Sequence, residues 1–404
     1  MYDLLKGVRV VEGVAFVAGP SCGLYLSQMG AEVIRFDAIG GGPDFNRWPL
    51  APSGRSLYWE GLNKGKKSIA LDLGRPEGRE LAQRLATAPG DNGGLFVTNF
   101  PVDGFLSYEA LKKLREDLIC VRIMGWADGG PAVDFTVNAA VGIPLMTGPE
   151  DAPGPVNHML PAWDLLTGAY AAFALLSALI ARRADGLGRE VRAPLSDIAA
   201  TSVANLGMVG ETVVNGHQRE RCGNDLYGAF GRDFVTADGQ RIMLVAITPR
   251  QWNGILEVLG IADAVAAVEA ELGVSFAKHE GVRFIHRARL NPLFAAAFAR
   301  KPLAELAPVF DKLGVCWGPY QPLETALSDP RLFAGNPVFQ TLDHPSGERY
   351  LAPGPAATIP QASRGPVRPA PRIGQDTEEV LADLLGMSAG EIARLHDQGL
   401  VASA

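Results

Sequence analysis

Short β-branched runs alternate with helical segments through the first third of the chain, and this alternation limits the possible folds more than any other feature. A turn at residues 13–20 leads from the first run into a helix, and Gly30 separates that helix from the second run. Strands that are joined through helices pair in parallel, since a hairpin cannot link parallel neighbours. We therefore predict an α/β fold built on a large doubly wound, Rossmann-like sheet. The predicted strands cover residues 8–11, 31–36, 68–73, 95–98 and 118–124.

The second half of the sequence has a different pattern. It predicts a β-hairpin around the turn Asp238-Gly239 and then three or four helices. The stretch 329–373 is rich in Pro and Gly, which is typical of a long connection, and two short helices follow it. The predicted organisation is a large α/β domain at 1–200, a smaller α+β domain at 225–328, and a return connection with C-terminal helices at 329–404 that completes the large domain.

An uncharged and mostly apolar run extends from residue 165 to residue 181 and ends at Arg182 and Arg183. The run falls short of the roughly 20 residues that a helix needs to cross a bilayer. Thr167 and Gly168 dilute its apolar character, and paired arginines suit a helix C-terminus. We predict a buried central helix of a soluble protein and no membrane partner.

Asp164 directly precedes this run and is open to two interpretations. As a helix N-cap, its carboxylate would accept the free backbone N–H groups of the first turn. As a fixed anion beside Trp163, it could instead attack an acyl group as a nucleophile. The helix dipole favours the ionised form in both cases. His158, six residues earlier, is either a general base or a surface or capping histidine.

Charge and motif content exclude several function classes. The net charge is −7 and no long basic stretch offsets it, which argues against a nucleic-acid partner. The four cysteines are widely separated, so they predict neither a zinc site nor a disulfide framework, and they favour the cytoplasm. The N-terminal residues do not resemble a signal peptide. Neither a metal-ligand spacing nor a serine-hydrolase motif is present, so no metal is expected.

Three segments near the ends of predicted strands could bind anions or flat rings. The turn at 40–43 is glycine-rich and follows a strand, but it lacks the spacing of a dinucleotide or phosphate loop, so a flexible turn is the better explanation. The segment 62–67 contains three lysines, which form either a phosphate site or a solvated charge cluster. Arg47 could supply a cation or stack on a ring. The segment 99–101 could hold an adenine or simply end a strand.

The sequence resembles the family III CoA transferases over nearly its whole length. The resemblance lies in LLKGVRVVEGVAFVAGP, MGAEVIRFD, LNKGKKSIALDL, VTNF, the AWD and GLGREV ends of the apolar run, YGAFGRDFVTADG, GVCWGP and IGQDTEEVLADLLGMSAGEIARL. It implies the fold of that family, in which two chains form an interlocked homodimer. It also implies an acyl-CoA substrate and no cofactor beyond the CoA that the substrate carries.

The resemblance assigns roles to particular positions. The family's nucleophilic aspartate falls on Asp164. The family's CoA-contacting positions fall on Phe16, Val17, Ala18, Leu62, Asn63, Lys66, Asn99, Phe100, Met124 and Gly125. A family lysine is replaced at Met124 and a family arginine at Ala38, so Lys64, Lys66, Lys67 or Arg47 would have to hold the CoA phosphates. The His-Asp pair of the family's racemases aligns with Phe135 and Thr136, which argues against racemisation.

Within the family, the wording of VNHMLPAWD and GNDLYGAFGRDF is closest to enzymes that move CoA from C1 to C4 of mesaconate. The implied route passes through an aspartyl mixed anhydride and an aspartyl-CoA thioester. Arg47, Asn224 and Tyr227 are candidates to bind the substrate. The alternatives are an intermolecular CoA transferase and a non-catalytic acyl-CoA-binding protein. An NAD-type oxidoreductase is disfavoured because the first turn lacks a GxGxxG spacing.

Overall fold

The computed structural model describes residues 1–404. Its twelve strands are β1 (Arg9–Gly13), β2 (Glu32–Ala38), β3 (Lys67–Leu71), β4 (Leu95–Thr98), β5 (Ile119–Met124), β6 (Arg189–Pro194), β7 (Phe230–Val235), β8 (Arg241–Ala246), β9 (Cys316–Pro319), β10 (Phe339–Asp343), β11 (Arg349–Pro353) and β12 (Val401–Ala402). Its seventeen helices are α1 (Ala18–Gln28), α2 (Leu57–Leu62), α3 (Pro76–Ala86), α4 (Tyr108–Lys112), α5 (Asp134–Ala140), α6 (Ile143–Met146), α7 (Ala162–Asp185), α8 (Leu195–Asn205), α9 (Met208–Asn215), α10 (Pro249–Leu259), α11 (Ala262–Leu272), α12 (Glu280–Ile285), α13 (Arg287–Phe298), α14 (Leu303–Leu313), α15 (Leu323–Ala326), α16 (Thr377–Leu385) and α17 (Ala389–Asp397).

The chain divides into two compact units, and two segments lie in a different unit from the predicted one. The first unit contains residues 1–141, 158–210 and 335–404, and the second contains 142–157 and 211–334. The sequence placed 142–157 in the large domain and 329–334 in the return connection that completes it, whereas both lie in the second unit. For the segment 142–157 the reason is visible. The guanidinium of Arg221 explains the difference, because it donates to carbonyl oxygens of Leu145, Ala152 and Gly154 and so ties the segment to the second unit.

A seven-stranded sheet forms the centre of the first unit. Its strand order is β12-β3-β2-β1-β4-β5-β6, and every neighbouring pair is parallel except β12 with β3. Val11 of β1 is in register with Ile34 of β2 on one side and Phe96 of β4 on the other. The predicted doubly wound sheet is confirmed. Its strand order reverses between β1 and β4, where the loops on the two sides diverge and leave a crevice for ligands.

Helices cover both faces of this sheet. Alternate residues of β1 enter opposite cores, with Val10 packed among residues of α1 and α7 and Val11 among residues of α3 and α16. Helix α7 alone has the length and apolar composition of a membrane span. One face of α7 is buried, including Leu175 and Leu179, but the opposite face is exposed. The predicted buried central helix is therefore confirmed on one face only.

The second unit contains a three-stranded antiparallel sheet, β7-β8-β9, with helices packed on it. The predicted hairpin is confirmed as β7 and β8. The aromatic rings of Phe230, Trp252 and Phe294 form the centre of its core, with centroid separations from 4.4 to 5.5 Å. Rings this large bury much apolar surface and stabilise a small core efficiently.

The long return segment belongs to the first unit and is not purely a connection. It contains the antiparallel pair β10 and β11 and then continues into α16 and α17. The last strand, β12, pairs with β3 and so covers an edge of the main sheet. Exposed edges invite pairing with other chains, so this strand protects the sheet.

Candidate active site

A cleft of about 760 Å³ opens at the carboxyl ends of β1, β4 and β5 in the first unit. Asp164 lies on its wall, together with turns that follow these three strands. This is the place where a doubly wound sheet binds ligands, because the loops there diverge. The residues that line the cleft are Ala15, Phe16, Val17, Ala18, Asn99, Phe100, Pro101, Val102, Asp103, Ile123, Met124, Gly125, Asp128, Gly129, Gly130, Pro131, Ala132, Val133, Thr136, Asp164 and Leu195.

Asp164 is the third residue of α7 and does not cap it. The helix begins at Ala162, and no side chain of the Pro161 N-cap bonds to it. The interpretation of Asp164 as an N-cap was therefore wrong, because the helix begins three residues earlier than its apolar run suggested. Its side chain is left available to the cleft, on a rigid helical turn.

Asp134, the first residue of α5, takes the capping role. Its Oδ2 accepts the backbone N–H groups of Trp163 at 2.7 Å and Asp164 at 3.1 Å. The Asp134 side chain is almost fully buried. The indole Nε1 of Trp163 also donates to Oδ1 of Asn138 at 3.1 Å. These bonds satisfy free N–H groups of the first turn and hold the backbone of Asp164 in one position.

Gly168 brings α7 close to α1. A Cβ at this position would lie 2.8 Å from the carbonyl oxygen of Ala18 and 2.8 Å from the Cβ of Ser21. Backbone cannot yield as a flexible side chain can, so only glycine fits without moving a helix. Since Gly168 is one helical turn beyond Asp164, this contact sets the carboxylate beside the turn at 15–18.

That turn contains the only non-glycine residue with a left-handed backbone, Phe16 at φ 71°. Its N–H donates to Oδ2 of Asp44 at 3.0 Å, and Arg35 donates to the same carboxylate. The side-chain amide of Asn99 exchanges two hydrogen bonds with the backbone of Ala15, at 3.0 and 3.1 Å. Strained residues persist where surrounding contacts hold them, and they cluster at functional sites.

The environment of Asp164 makes its carboxyl unusually basic. Burial and, to a smaller extent, the negative charge of Asp134 together raise its pKa to about 7, against the opposing charge of Arg47. The expectation that the helix dipole keeps this group ionised was incomplete, because desolvation outweighs it. At neutral pH the carboxyl is close to half ionised.

Arg47 and Tyr58 lie beside this carboxyl. The guanidinium carbon of Arg47 is 5.3 Å from the ring centre of Phe16 and 5.5 Å from that of Tyr58, as in cation–π contacts. The Tyr58 hydroxyl oxygen is buried and has no hydrogen-bond partner in the chain. Burial raises the pKa of Tyr58 to about 12, and the charge of Asp164 adds to the shift. Tyr58 therefore remains a hydrogen-bond donor, and sequence reasoning missed it.

Seven of the ten sequence-predicted CoA contacts line the same cleft as Asp164. They are Phe16, Val17, Ala18, Asn99, Phe100, Met124 and Gly125. Any larger residue at position 125 would clash with the backbone, since a Cβ there would lie 2.4 Å from the backbone nitrogen of Ala132. Leu62, Asn63 and Lys66 are not among the lining residues.

The amines of Lys64 and Lys66 bond within the chain in this structure. Lys66 Nζ uses all three of its donors, on Glu12 Oε1 at 2.6 Å, on the Pro20 carbonyl at 2.9 Å and on Asn63 Oδ1 at 2.9 Å. Lys64 is buried and donates to the carbonyl of Gly61. Both side chains are buried, so the interpretation as a solvated cluster was wrong. Neither residue lines the cleft, and a role of either in phosphate binding stays a prediction.

Lys67 is also engaged, since its Nζ donates to Glu32 at 2.7 Å and Glu379 at 2.8 Å. Of the cations suggested as replacements for the missing family residues, only Arg47 lies near the cleft. No lysine or arginine is among the lining residues. The absence matches the replacement of the two family cations by Met124 and Ala38.

A second, apolar cavity of about 320 Å³ adjoins the cleft and shares Phe16, Asn99 and Phe100 with it. Phe36 and Leu73 complete its wall, and the rings of Phe36 and Phe100 are 6.4 Å apart. Such a pocket suits a flat ring. Sequence reasoning missed Phe36 and Leu73, although their position at the end of strands was an available signal.

The two remaining substrate candidates, Asn224 and Tyr227, lie in the second unit. Asn224 donates to Asp233 at 3.1 Å, and the Tyr227 hydroxyl donates to Glu211. The guanidinium carbon of Arg219 lies 3.6 Å from the centre of the Tyr227 ring. Both residues thus have partners within their own unit, and their contact with substrate stays a prediction.

The comparisons with known proteins agree with this geometry. The profile of CoA-transferase family III matches residues 5–377. The chain is 47% identical to 2-methylfumaryl-CoA isomerase of Chloroflexus aurantiacus, over 100% of this chain and 98% of that enzyme. It is 30% identical to succinyl-CoA–D-citramalate CoA-transferase of the same organism, over 98% of each. A CAIB/BAIF family protein from Brucella suis has a similar structure, with a TM-score of 0.76, 25% identity, and coverage of 95% of this chain and 100% of that one.

Proposed function

The chain belongs to CoA-transferase family III, and from that premise we propose that it moves CoA from C1 to C4 of mesaconate, converting 2-methylfumaryl-CoA to 3-methylfumaryl-CoA. The observation that carries the proposal is Asp164, a half-buried carboxyl on a rigid turn at the wall of the cleft. The 47% identity to 2-methylfumaryl-CoA isomerase supports this choice of acyl group.

Four substitutions at carbonyl carbon complete the proposed reaction. The Asp164 carboxylate attacks the C1 thioester, which gives a mixed anhydride and CoA thiolate. The thiolate attacks the aspartyl carbonyl, which gives an aspartyl-CoA thioester and free mesaconate. The C4 carboxylate of mesaconate attacks that thioester and releases the thiolate again. The thiolate then attacks the C4 acyl carbon, which yields the product and restores Asp164.

The steps exchange one activated acyl group for another, so the proposal needs no cofactor beyond CoA. Free mesaconate must stay beside the aspartyl thioester, because an oriented neighbour reacts as if present at very high concentration. Arg47 is suited to hold its second carboxylate, since it lies near Asp164 between two aromatic rings. The unpartnered hydroxyl of Tyr58 is suited to donate to a developing oxyanion.

In this proposal the two cavities bind different parts of the CoA molecule. The apolar cavity at Phe36, Leu73 and Phe100 accepts the adenine ring. The pantetheine arm passes along the turn at 15–18 and brings the thioester to Asp164. Asn99 supports this path by holding the turn through Ala15.

An intermolecular CoA transferase is the second candidate, favoured by the 30% identity to succinyl-CoA–D-citramalate CoA-transferase. It would use the same nucleophile but would require a free acid as acceptor. A non-catalytic acyl-CoA-binding protein is disfavoured, because a binding module has no need of a carboxyl whose pKa is raised to about 7.

The deciding experiment incubates the protein with mesaconyl-C1-CoA and no added acid. Chromatography should show the C4 isomer, and isotope-labelled mesaconate added to a parallel reaction should not enter the product. Product that forms only with added acid, and carries its label, would establish the intermolecular reaction instead. Binding of the thioester with no isomer in either reaction would favour the non-catalytic alternative.

The pH dependence of turnover is the first prediction. Only the ionised form of Asp164 attacks, and its pKa in the free protein is raised to about 7. We expect kcat/KM to rise about tenfold per pH unit below that value and to level above it, measured from about pH 5.5 to about pH 8.5. A midpoint near the ordinary aspartate value, roughly 3.9, would contradict the electrostatic account of the site.

We also propose that a second copy of the chain covers the exposed face of α7. Leu166, Tyr170, Phe173 and Ile180 recur every three, four or seven residues along it, and Ile180 is 68% exposed. A continuous apolar stripe on a long helix indicates a contact surface, because water is a poor environment for it. The resemblance to the family supports an interlocked homodimer as the occupant.

This surface provides the second prediction. Tyr170→Asp combined with Phe173→Asp places two charges in the stripe, and we expect sedimentation to show monomers where the unaltered chain forms dimers. Leu114→Asp, which changes an exposed apolar residue of the first unit outside α7, is the control and should leave the chain dimeric. A monomeric unaltered chain, or a double variant that remains dimeric, would contradict the assignment of this face.

A further inference from the structure

His158 faces Asp134, on the side of Asp134 away from the backbone of Asp164. The Nε2 of His158 lies 3.8 Å from Oδ1 of Asp134. Both atoms are buried, and neither has a hydrogen-bond partner in the chain. The imidazole lies over the ring of Phe135, with centroids 6.2 Å apart and planes at 27°. The general-base interpretation placed His158 next to the nucleophile, but the structure places Asp134 between them.

Asp134 therefore has one oxygen in use and one without a partner. Its Oδ2 holds the N–H groups of Trp163 and Asp164, while Oδ1 meets only His158. A buried acceptor without a donor costs free energy. A small movement of the His158 side chain would bring Nε2 within hydrogen-bond distance of Oδ1 and supply the missing donor. Only a tautomer or charge state with a proton on Nε2 can donate to Oδ1.

The state of Asp134 bears directly on the nucleophile. Asp134 lies in the first turn of α5 and Asp164 in the first turn of α7. Both carry negative charge when ionised, so the charge of Asp134 makes Asp164 harder to ionise. A donor on Oδ1 disperses that charge and so favours ionisation of Asp164. The charged groups that face this set are Asp134 from α5, Asp164 from α7, and Arg47 on the far side of Asp164.

We propose that His158 is a positioning residue, which donates from Nε2 to Asp134 and thereby holds the first turn of α7 and favours the ionised form of Asp164. This inference rests on the proposed role of Asp164 as nucleophile. It assigns His158 no contact with the substrate.

His158→Leu and His158→Gln separate this role from simple packing. Leucine fills space but cannot donate, whereas the side-chain amide of glutamine reaches about as far as Nε2 and keeps a donor. We expect His158→Leu to lower kcat by about tenfold and to move the acid limb of kcat/KM upward by about one pH unit, with KM little changed. His158→Gln should restore most of kcat and return the limb toward its original position.

A second measurement follows Asp164 without turnover. Infrared difference spectra of the substrate-free protein, taken against Asp164→Asn, give the ionisation of this one carboxyl as a function of pH. The midpoint should be higher in His158→Leu than in the unaltered protein. His279→Leu, which removes an exposed histidine of the second unit, is the matched control and should change neither midpoint nor kcat.

The outcomes distinguish the two proposals. Treatment of the unaltered protein with substrate and hydroxylamine should leave an adduct on Asp164 that mass spectrometry detects. If no such adduct forms, the proposed nucleophile is overturned, whatever the effect of His158→Leu on the infrared midpoint. A trapped adduct together with equal midpoints in the unaltered protein and His158→Leu overturns the role of His158. Equal losses in the leucine and glutamine variants would also overturn it, since packing would then explain both. Thermal unfolding of each variant shows that the comparison is between folded proteins.

Discussion

Replacing Asp164 by asparagine is expected to lower kcat by at least about 10³-fold, the loss typical when a covalent nucleophile is removed. Asparagine keeps the shape of the side chain but cannot form an anhydride. The backbone of residue 164 is held by Asp134 and not by its own side chain, so the fold should be little affected. Steady-state turnover of mesaconyl-C1-CoA measures the loss, and Asp164→Ala gives a second measure without an amide.

The same experiment needs a trap and a matched control. Hydroxylamine with mass spectrometry should find a modified residue at Asp164 in the unaltered protein and none in the asparagine variant. Asp263→Asn removes another acid from the first turn of a helix, in the second unit, and should leave turnover intact. Retained turnover in Asp164→Ala would exclude the aspartyl route.

Replacing Lys66 by methionine is expected to destabilise the fold by about 3–5 kcal/mol, the cost of leaving one partner of a buried ion pair alone. The Lys66 amine and the Glu12 carboxylate are 2.6 Å apart, and both side chains are fully buried. Methionine matches the lysine stem but leaves Glu12 without its cation. The free energy of unfolding in denaturant measures the effect.

A double-mutant cycle distinguishes the loss of the pair from a loss of packing. Glu12→Gln combined with Lys66→Met should recover much of the stability, because it removes the isolated charge. Lys67→Met removes a partly exposed lysine that is paired at the surface, and we expect it to cost less than about 1 kcal/mol. A similar small cost for Lys66→Met would mean that a phosphate-binding role for the cluster should be reconsidered.

Much of the fold follows from the sequence because the signals are local. The strands β1 to β5 are short segments of four to seven residues, each with apolar residues at its centre, and helices separate them; few topologies accommodate that order. The position of the cleft then follows from the carboxyl ends of the strands. Phe16 and Met124 were placed in the predicted site by the resemblance to the family, and Asn99 by the resemblance and by its position at a strand end; all three line this cleft.

The parts that could not be predicted depend on contacts distant in sequence. Asp134 acts on a backbone 30 residues away, and nothing near it in the sequence marks it as a cap. The position of the Lys66 amine depends on Glu12, which lies 54 residues earlier on β1. A cluster of lysines ordinarily indicates solvent or an anion, and only tertiary packing shows that this one stabilises the sheet.

The rigid mounting of Asp164 has a consequence for the substrate. Its backbone is held by Asp134, and its helix packs closely against α1 at Gly168, so the nucleophile can move no further than rotation of its short side chain allows. Under the proposed reaction, the same atom must meet first one end of mesaconate and then the other. The freed diacid must therefore reorient within the cleft of about 760 Å³, so that its C4 carboxylate replaces its C1 carboxylate beside Asp164 before CoA is transferred back to it. Dissociation of mesaconate before it has turned would appear as slow release of free mesaconate into solution. A bulkier diacid that enters the cleft but cannot turn should leave the enzyme trapped as the aspartyl-CoA thioester.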